Sequence, residues 1–183
     1  PLMMRLSTAE TRVVSFDKGL SMLPACKASG GCHYNLGASG EQLAFAPLQD
    51  LSTQEARAWA LEWIEIILNL NEVVITPSQR NEIGLALTNM DASGSGTLSE
   101  LSILIQDEPI REALKQYTLD GAMGYLLDAQ QDGLQTRHFM TFELETLMGM
   151  GEKFALPVLL YLFWRIETAL DGRPTLLLLD EAW

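Results

Sequence analysis

The run Leu176-Leu177-Leu178-Leu179-Asp180-Glu181 places two acids directly after four aliphatic residues. A buried strand ending in an acidic pair is the pattern of a Walker B motif, and its chemistry is specific. An aspartate at the carboxyl end of such a strand can hold the water shell of a Mg²⁺ ion. The glutamate after it can orient or deprotonate the water that attacks a γ-phosphate. Asp180 is thus the candidate metal holder, through water, and Glu181 the candidate catalytic base. The plain alternative is a core strand followed by two solvated acids. A long apolar helix, an Asp171-Gly172-Arg173-Pro174 turn and then this strand, in the order of a βαβ unit, favour the first reading.

A phosphate cradle of the form G-x-x-x-x-G-K-S/T should accompany such a strand. The glycine clusters Gly30-Gly31, Gly94/Gly96 and Gly149/Gly151 do not lead into Gly-Lys-Ser or Gly-Lys-Thr. A nucleotide-hydrolysing reading therefore places the cradle upstream of Pro1, with Leu2 to Leu6 as the end of the helix behind it. Two other patterns carry less. Asp91 to Ser99 follows the opening of a calcium-binding EF-hand loop, but Ser102 stands where the bidentate carboxylate belongs. Cys26, Cys32 and His33 lack a nearby fourth ligand, since His138 is distant and no C-x-x-C exists.

The elements that must position these residues can be read in outline. Arg12 to Phe16 is a β-branched and aromatic run closed by Asp17-Lys18-Gly19, a strand ending in a turn. A short helix over 20–28 and a second strand over 33–36 follow, then a loop to Asp50. Ser52 and Glu55 make a capping box for a helix reaching about Leu70. Pro77 opens a helix to about Met90, Thr97 and Glu100 cap a third, and Pro109 opens a fourth that ends near Tyr117. Strand character returns over 138–142, a helical turn spans 143–148, and a core helix over 152–170 is interrupted or kinked at Pro157. Thr175 to Leu179, apolar on both faces, suits a central parallel strand with helices above and below. The fold class is α/β, with a sheet core over 1–51 and 119–183 and a helical insertion over 52–118 on one side of the sheet.

Composition agrees with a globular domain. The chain has 183 residues, 48% of them hydrophobic and 20% charged, which excludes disordered and collagen-like classes. Twelve basic residues against 24 acidic ones leave a net charge of −12, unsuited to strong non-specific contact with nucleic acid. Two cysteines make no disulfide framework. The longest apolar run, Phe154 to Trp164, is far short of the ~20 residues that span a bilayer. A chain that stops just past a strand reads as a piece of a longer protein.

Further residues match a known pattern in order along nearly the whole chain. They are Val14-Ser15-Phe16-Asp17-Lys18-Gly19, Gly30-Gly31-Cys32-His33-Tyr34, Phe45-Ala46-Pro47-Leu48, Gly124-Tyr125-Leu126-Leu127-Asp128, Phe142 to Leu147, and Leu179-Asp180-Glu181-Ala182-Trp183. With these the chain resembles the ATPase domain of conjugative transfer and type IV secretion motors, the TrbE/CagE/VirB family, and its TrbE branch most. The Asp-Glu-Ala-Trp ending is the most specific match. The family often has Asp after Asp-Lys, where this chain has Gly19.

The resemblance implies a RecA-like P-loop NTPase core, cut here between the Walker A and the end of the Walker B. It implies a ring-forming motor that uses ATP, with Mg, for pilus assembly and transfer, beside other secretion components. It also implies a bacterial cytoplasmic location peripheral to the inner membrane. Asp180 and Glu181 carry over as Mg²⁺ holder and catalytic base. Asp17 is placed near the γ-phosphate region, against a plain strand-end turn, and Asp128 and Glu143 are structural. An arginine finger is implied, with Arg111, Arg137 and Arg173 all open. No bound nucleotide, no ATPase activity and no direct DNA contact are expected of this chain alone. The competing reading is a non-enzymatic interaction module of a secretion apparatus.

Overall fold

The computed structural model describes residues 11–37, 43–94 and 96–180. Its elements run β1 (Arg12–Asp17), α1 (Leu23–Ala28), β2 (Cys32–Asn35), α2 (Gln54–Leu70), α3 (Pro77–Ser93), α4 (Leu98–Leu104), α5 (Glu108–Lys115), α6 (Gly124–Leu127), β3 (Phe139–Glu143), α7 (Glu145–Gly149), α8 (Glu152–Thr168) and β4 (Thr175–Leu179). They fall into two compact units. One comprises residues 1–43, 134–155 and 162–183, the other 44–133 and 156–161.

The first unit holds a four-stranded sheet in the order β2-β3-β1-β4, and every pairing in it is parallel. β1 is buried from end to end because both of its edges are paired and both of its faces are covered. On one face Val13 and Phe139 pack with Met22 and Cys26 from the α1 side, and Leu176 and Leu178 lean on the same cluster. The Ser15 and Thr141 hydroxyls, in the same register row, satisfy each other at 2.9 Å. On the other face Tyr34, Phe142 and Phe16 stack across three strands, with centroids 5.5 and 5.2 Å apart, and Phe163 of α8 closes on Phe16 at 5.0 Å. Such contacts between rings add about 0.5–1.5 kcal/mol each beyond the area they bury.

The sheet corrects one expectation. β4 is not central: among the described residues it is the edge strand, paired with β1 alone, and Leu177 and Leu179 remain 43% and 39% exposed. An aliphatic run records that both faces of a strand are apolar, but not which neighbours the strand has.

The second unit is helical around Trp63, Ile64, Ile67, Leu68, Leu87 and Leu114, all buried. Between residues 52 and 118 the described elements are α2 to α5, all helices. The Trp63 indole N–H donates to the Pro157 carbonyl at 2.9 Å, and the Tyr161 hydroxyl meets Asp132. Two local expectations change. The cap of α2 is Thr53, whose hydroxyl accepts from the Ala56 amide, while Ser52 turns to Asp50. α8 runs unbroken through Pro157. Burial of Ala155, Val158, Tyr161 and Leu162 outweighs the one backbone bond that proline removes. The capping boxes at Thr76/Gln79 and Thr97/Glu100 are both formed, and Gly94 caps α3 in the left-handed conformation with φ 71°.

The stacked row sets an order of sensitivity along the sheet. Phe142→Ala, which empties its centre, should lower stability by about 3–5 kcal/mol in urea unfolding. Leu177→Ala, on the exposed edge, should lower it by less than half as much. Equal effects would contradict the edge placement.

Candidate functional site

Because all strands run the same way, their carboxyl ends share one edge, and three acids gather there. Asp17 ends β1, Glu143 ends β3 as its register partner, and Asp180 follows β4. The Asp180 amide donates to the Phe16 carbonyl at 2.9 Å, which extends the ladder by one residue and fixes Asp180 beside Asp17.

The three carboxylates differ in environment. Asp17 and Glu143 are buried, at 0% and 2% exposure, whereas Asp180 is exposed. Asp17 accepts from the Met22 amide at 2.8 Å and the Ser21 hydroxyl at 2.5 Å. Glu143 accepts from the amides of Gly19 at 3.1 Å, Leu20 at 2.7 Å and Glu145 at 3.0 Å. A buried carboxylate needs such donors, since an unsatisfied one is strongly destabilising. Together they hold the loop between β1 and α1 in a strained shape: Gly19 has φ 89° and Leu20 φ 61°. Glycine takes this conformation freely, whereas a leucine there is strained by about 1–2 kcal/mol. The Leu20–Glu143 bond is what offsets it.

That loop brings Ser21 against the acids. Its hydroxyl lies 2.5 Å from the Asp17 carboxylate and 3.4 Å from that of Asp180. The structure thus gathers Asp180, Asp17 and Ser21, and the residues that reading by motif had not placed in the site are Ser21 and Glu143. Asp128 is occupied structurally, accepting from the amides of Ser99 at 3.0 Å and Leu119 at 2.8 Å. Arg137 and Arg173 precede β3 and β4, at the end of the strands away from Asp180, and Arg111 lies on α5 in the helical unit. Glu181 and Leu2 to Leu6 lie outside the described residues. Among the described residues no three of His, Cys, Asp and Glu come together as a metal cluster.

Glu143→Gln keeps the shape of the side chain but puts an amide NH₂ where an N–H donor now points. The amides of Gly19, Leu20 or both should then exchange with solvent about 10–100-fold faster, as read by hydrogen-exchange NMR. Unchanged exchange would show that the loop holds its shape without this carboxylate.

No family model matches the chain. Individual proteins do. Over 177 residues it is 47% identical to a probable conjugal transfer protein TrbE of Sinorhizobium fredii, covering 94% of this chain and 27% of that protein. The conjugal transfer protein TrbE of Rhizobium radiobacter is 46% identical, with 94% of this chain and 22% of that protein covered. The type IV secretion system protein virB4 of Bartonella quintana is 23% identical over this whole chain and 24% of its own length. The chain therefore spans about a quarter of the length of these relatives. The structure of VirB4 of Thermoanaerobacter pseudethanolicus superposes with a TM-score of 0.74 at 18% identity, over all of this chain and 78% of that one. This likeness agrees with the RecA-like α/β core. On the parallel sheet, the acidic carboxyl edge and matches that run nearly end to end, the chain belongs to the TrbE/VirB4 family of conjugal transfer and type IV secretion proteins.

Proposed function

We propose that the whole protein hydrolyses ATP as a motor of conjugative transfer and type IV secretion, energising pilus assembly, and that this chain supplies the metal-holding edge of its active site. The observation that carries the reading is Asp180, an exposed carboxylate at the end of a parallel strand, tied into the ladder beside Asp17.

Magnesium takes oxygen ligands and keeps several of its own waters. Asp180 with the Ser21 hydroxyl, 3.4 Å apart, offers an oxygen-only flank that fits one side of a hydrated ion. When bound, the ion neutralises charge on the β- and γ-phosphates. Asp180 holds that hydrated flank, and Glu181, the next residue, accepts the proton of the attacking water. Asp17 is a positioning residue: it is buried and holds Ser21 in place. The grip on the phosphates belongs to a Walker A outside this chain, since no Gly-Lys-Ser or Gly-Lys-Thr loop stands within it. The exposed faces of Leu177 and Leu179 suit a further strand of the whole protein, which would return β4 to the interior.

In the whole protein, residues 1–51 and 119–183 serve the RecA-like core and 52–118 form a helical insertion, a division that helices α2 to α5 support. The assembly is a ring of like subunits working with secretion components at the cytoplasmic side of the inner membrane. The relatives' descriptions support those partners, and among the described residues no helix is long and apolar enough to cross a membrane. A net charge of −12 argues against direct DNA contact.

Glu181→Gln in the full-length protein should leave ATP binding intact and slow turnover about 10²–10⁴-fold. The 183-residue chain alone should show no ATPase activity and little affinity for Mg-ATP in calorimetry. Full turnover by the variant would remove Glu181 from the mechanism. Saturable micromolar binding by this chain would reveal a phosphate grip inside it. A full-length protein without ATPase activity would favour the interaction module.

A further inference from the structure

The opposite edge of the sheet carries the opposite charge. Arg12 opens β1, Arg137 and His138 immediately precede β3, and Arg173 stands two residues before β4. Each of these three adjacent strands therefore begins beside an arginine and ends on or beside an acid. The ladder brings the starts together: the Arg12 amide donates to the Pro174 carbonyl at 2.9 Å and the Val13 amide to the His138 carbonyl at 2.7 Å. Thr11, Arg12, Thr136, Arg137, His138 and Arg173 line a cavity of about 110 Å³ there. That is room for three or four waters at about 30 Å³ each, or for one tetrahedral oxyanion.

We infer that this cavity is a phosphate site, separate from the carboxyl edge. Three guanidiniums face one carboxylate, Asp171, which lies 2.5 Å from Arg173 and 3.5 Å from Arg12, so two positive charges remain in excess. In a chain of net charge −12, that excess is a local reversal of sign. Arg12 is the strongest pointer. Its side chain is only 8% exposed, yet of its five N–H donors one makes a hydrogen bond to a described residue, the 2.6 Å bond to the Ala169 carbonyl. A buried guanidinium lining a cavity with donors to spare is matched to an acceptor-rich anion. Arg137 touches only the neutral Gln135 side chain, at 3.5 Å, and is available to the same ligand. Guanidinium forks bind phosphate oxygens in pairs, and the hydroxyls of Thr11 and Thr136 add neutral donors at the wall. The ligand is a phosphate group, either the free ion or the terminal phosphate of a larger molecule. The cavity has no room for a nucleoside.

The test is NMR titration of this chain with inorganic phosphate at constant ionic strength, with ADP as a second titrant. Saturable shifts at the amides of 11, 12, 136–138 and 173 are expected. Arg137→Gln and Arg173→Gln, both on exposed side chains, should each weaken binding at least about tenfold, while Arg12 is left in place to keep the fold. Competition by ADP at the same amides would identify a terminal phosphate as the ligand, and its absence the free ion; both support the site. Shifts confined to the carboxyl edge, affinity unchanged in both variants, or no saturation at millimolar phosphate would each overturn it.

Discussion

Parallel strands cannot be joined by tight turns, so each crossover returns the chain to the same end of the sheet. In this molecule β1 pairs in parallel with both β3 and β4, and nearly everything else follows from that double pairing. It buries β1 on both edges and aligns Phe16 with Phe142 and with Leu179 in one row. It also collects the strand ends: Asp17, Glu143 and Asp180 on one edge, Arg12, Arg137 and Arg173 on the other. Five residues of strand at about 3.3 Å each hold the two edges roughly 17 Å apart. Opposite charges therefore sit on one rigid element without neutralising one another.

The acidic edge is graded rather than uniform. Glu143 and Asp17 are engaged by backbone amides and a hydroxyl, which makes them scaffolding for the strained turn at Gly19 and Leu20. Asp180 stays open to solvent. A site that must bind a hydrated cation needs this division, because a buried, fully satisfied carboxylate has no lone pairs left to offer. The left-handed turn also accounts for Gly19. Aspartate, which the family often has there, and glycine are both tolerant of that backbone conformation.

Much of this was legible in the residues. The β-branched run at Arg12 to Phe16 and the aliphatic run before Asp180 marked two strands. Thr97 with Glu100 and Pro77 marked two helix starts. What escaped depends on partners far along the chain. Glu143 matters because register sets it beside residues about 124 positions earlier, and no local pattern announces that. The edge position of β4 depends on what lies at its other side. Ser52 and Thr53 are adjacent hydroxyls with equal chemical claim to the cap, and Asp50 decides between them by engaging Ser52. Pro157 breaks a helix by propensity, yet the packing around it outweighs the one bond it removes.

Everything proposed for the acidic edge depends on Asp180 being the metal-side carboxylate of a sheet that the rest of the protein completes. A structure of the full-length protein with magnesium and a non-hydrolysable ATP analogue tests this most directly. The expected result is the Asp180 carboxylate one water away from the ion, Ser21 beside it, and a further strand paired to the open edge of β4. A metal held elsewhere, or β4 still unpaired on that edge in the complete protein, would contradict it.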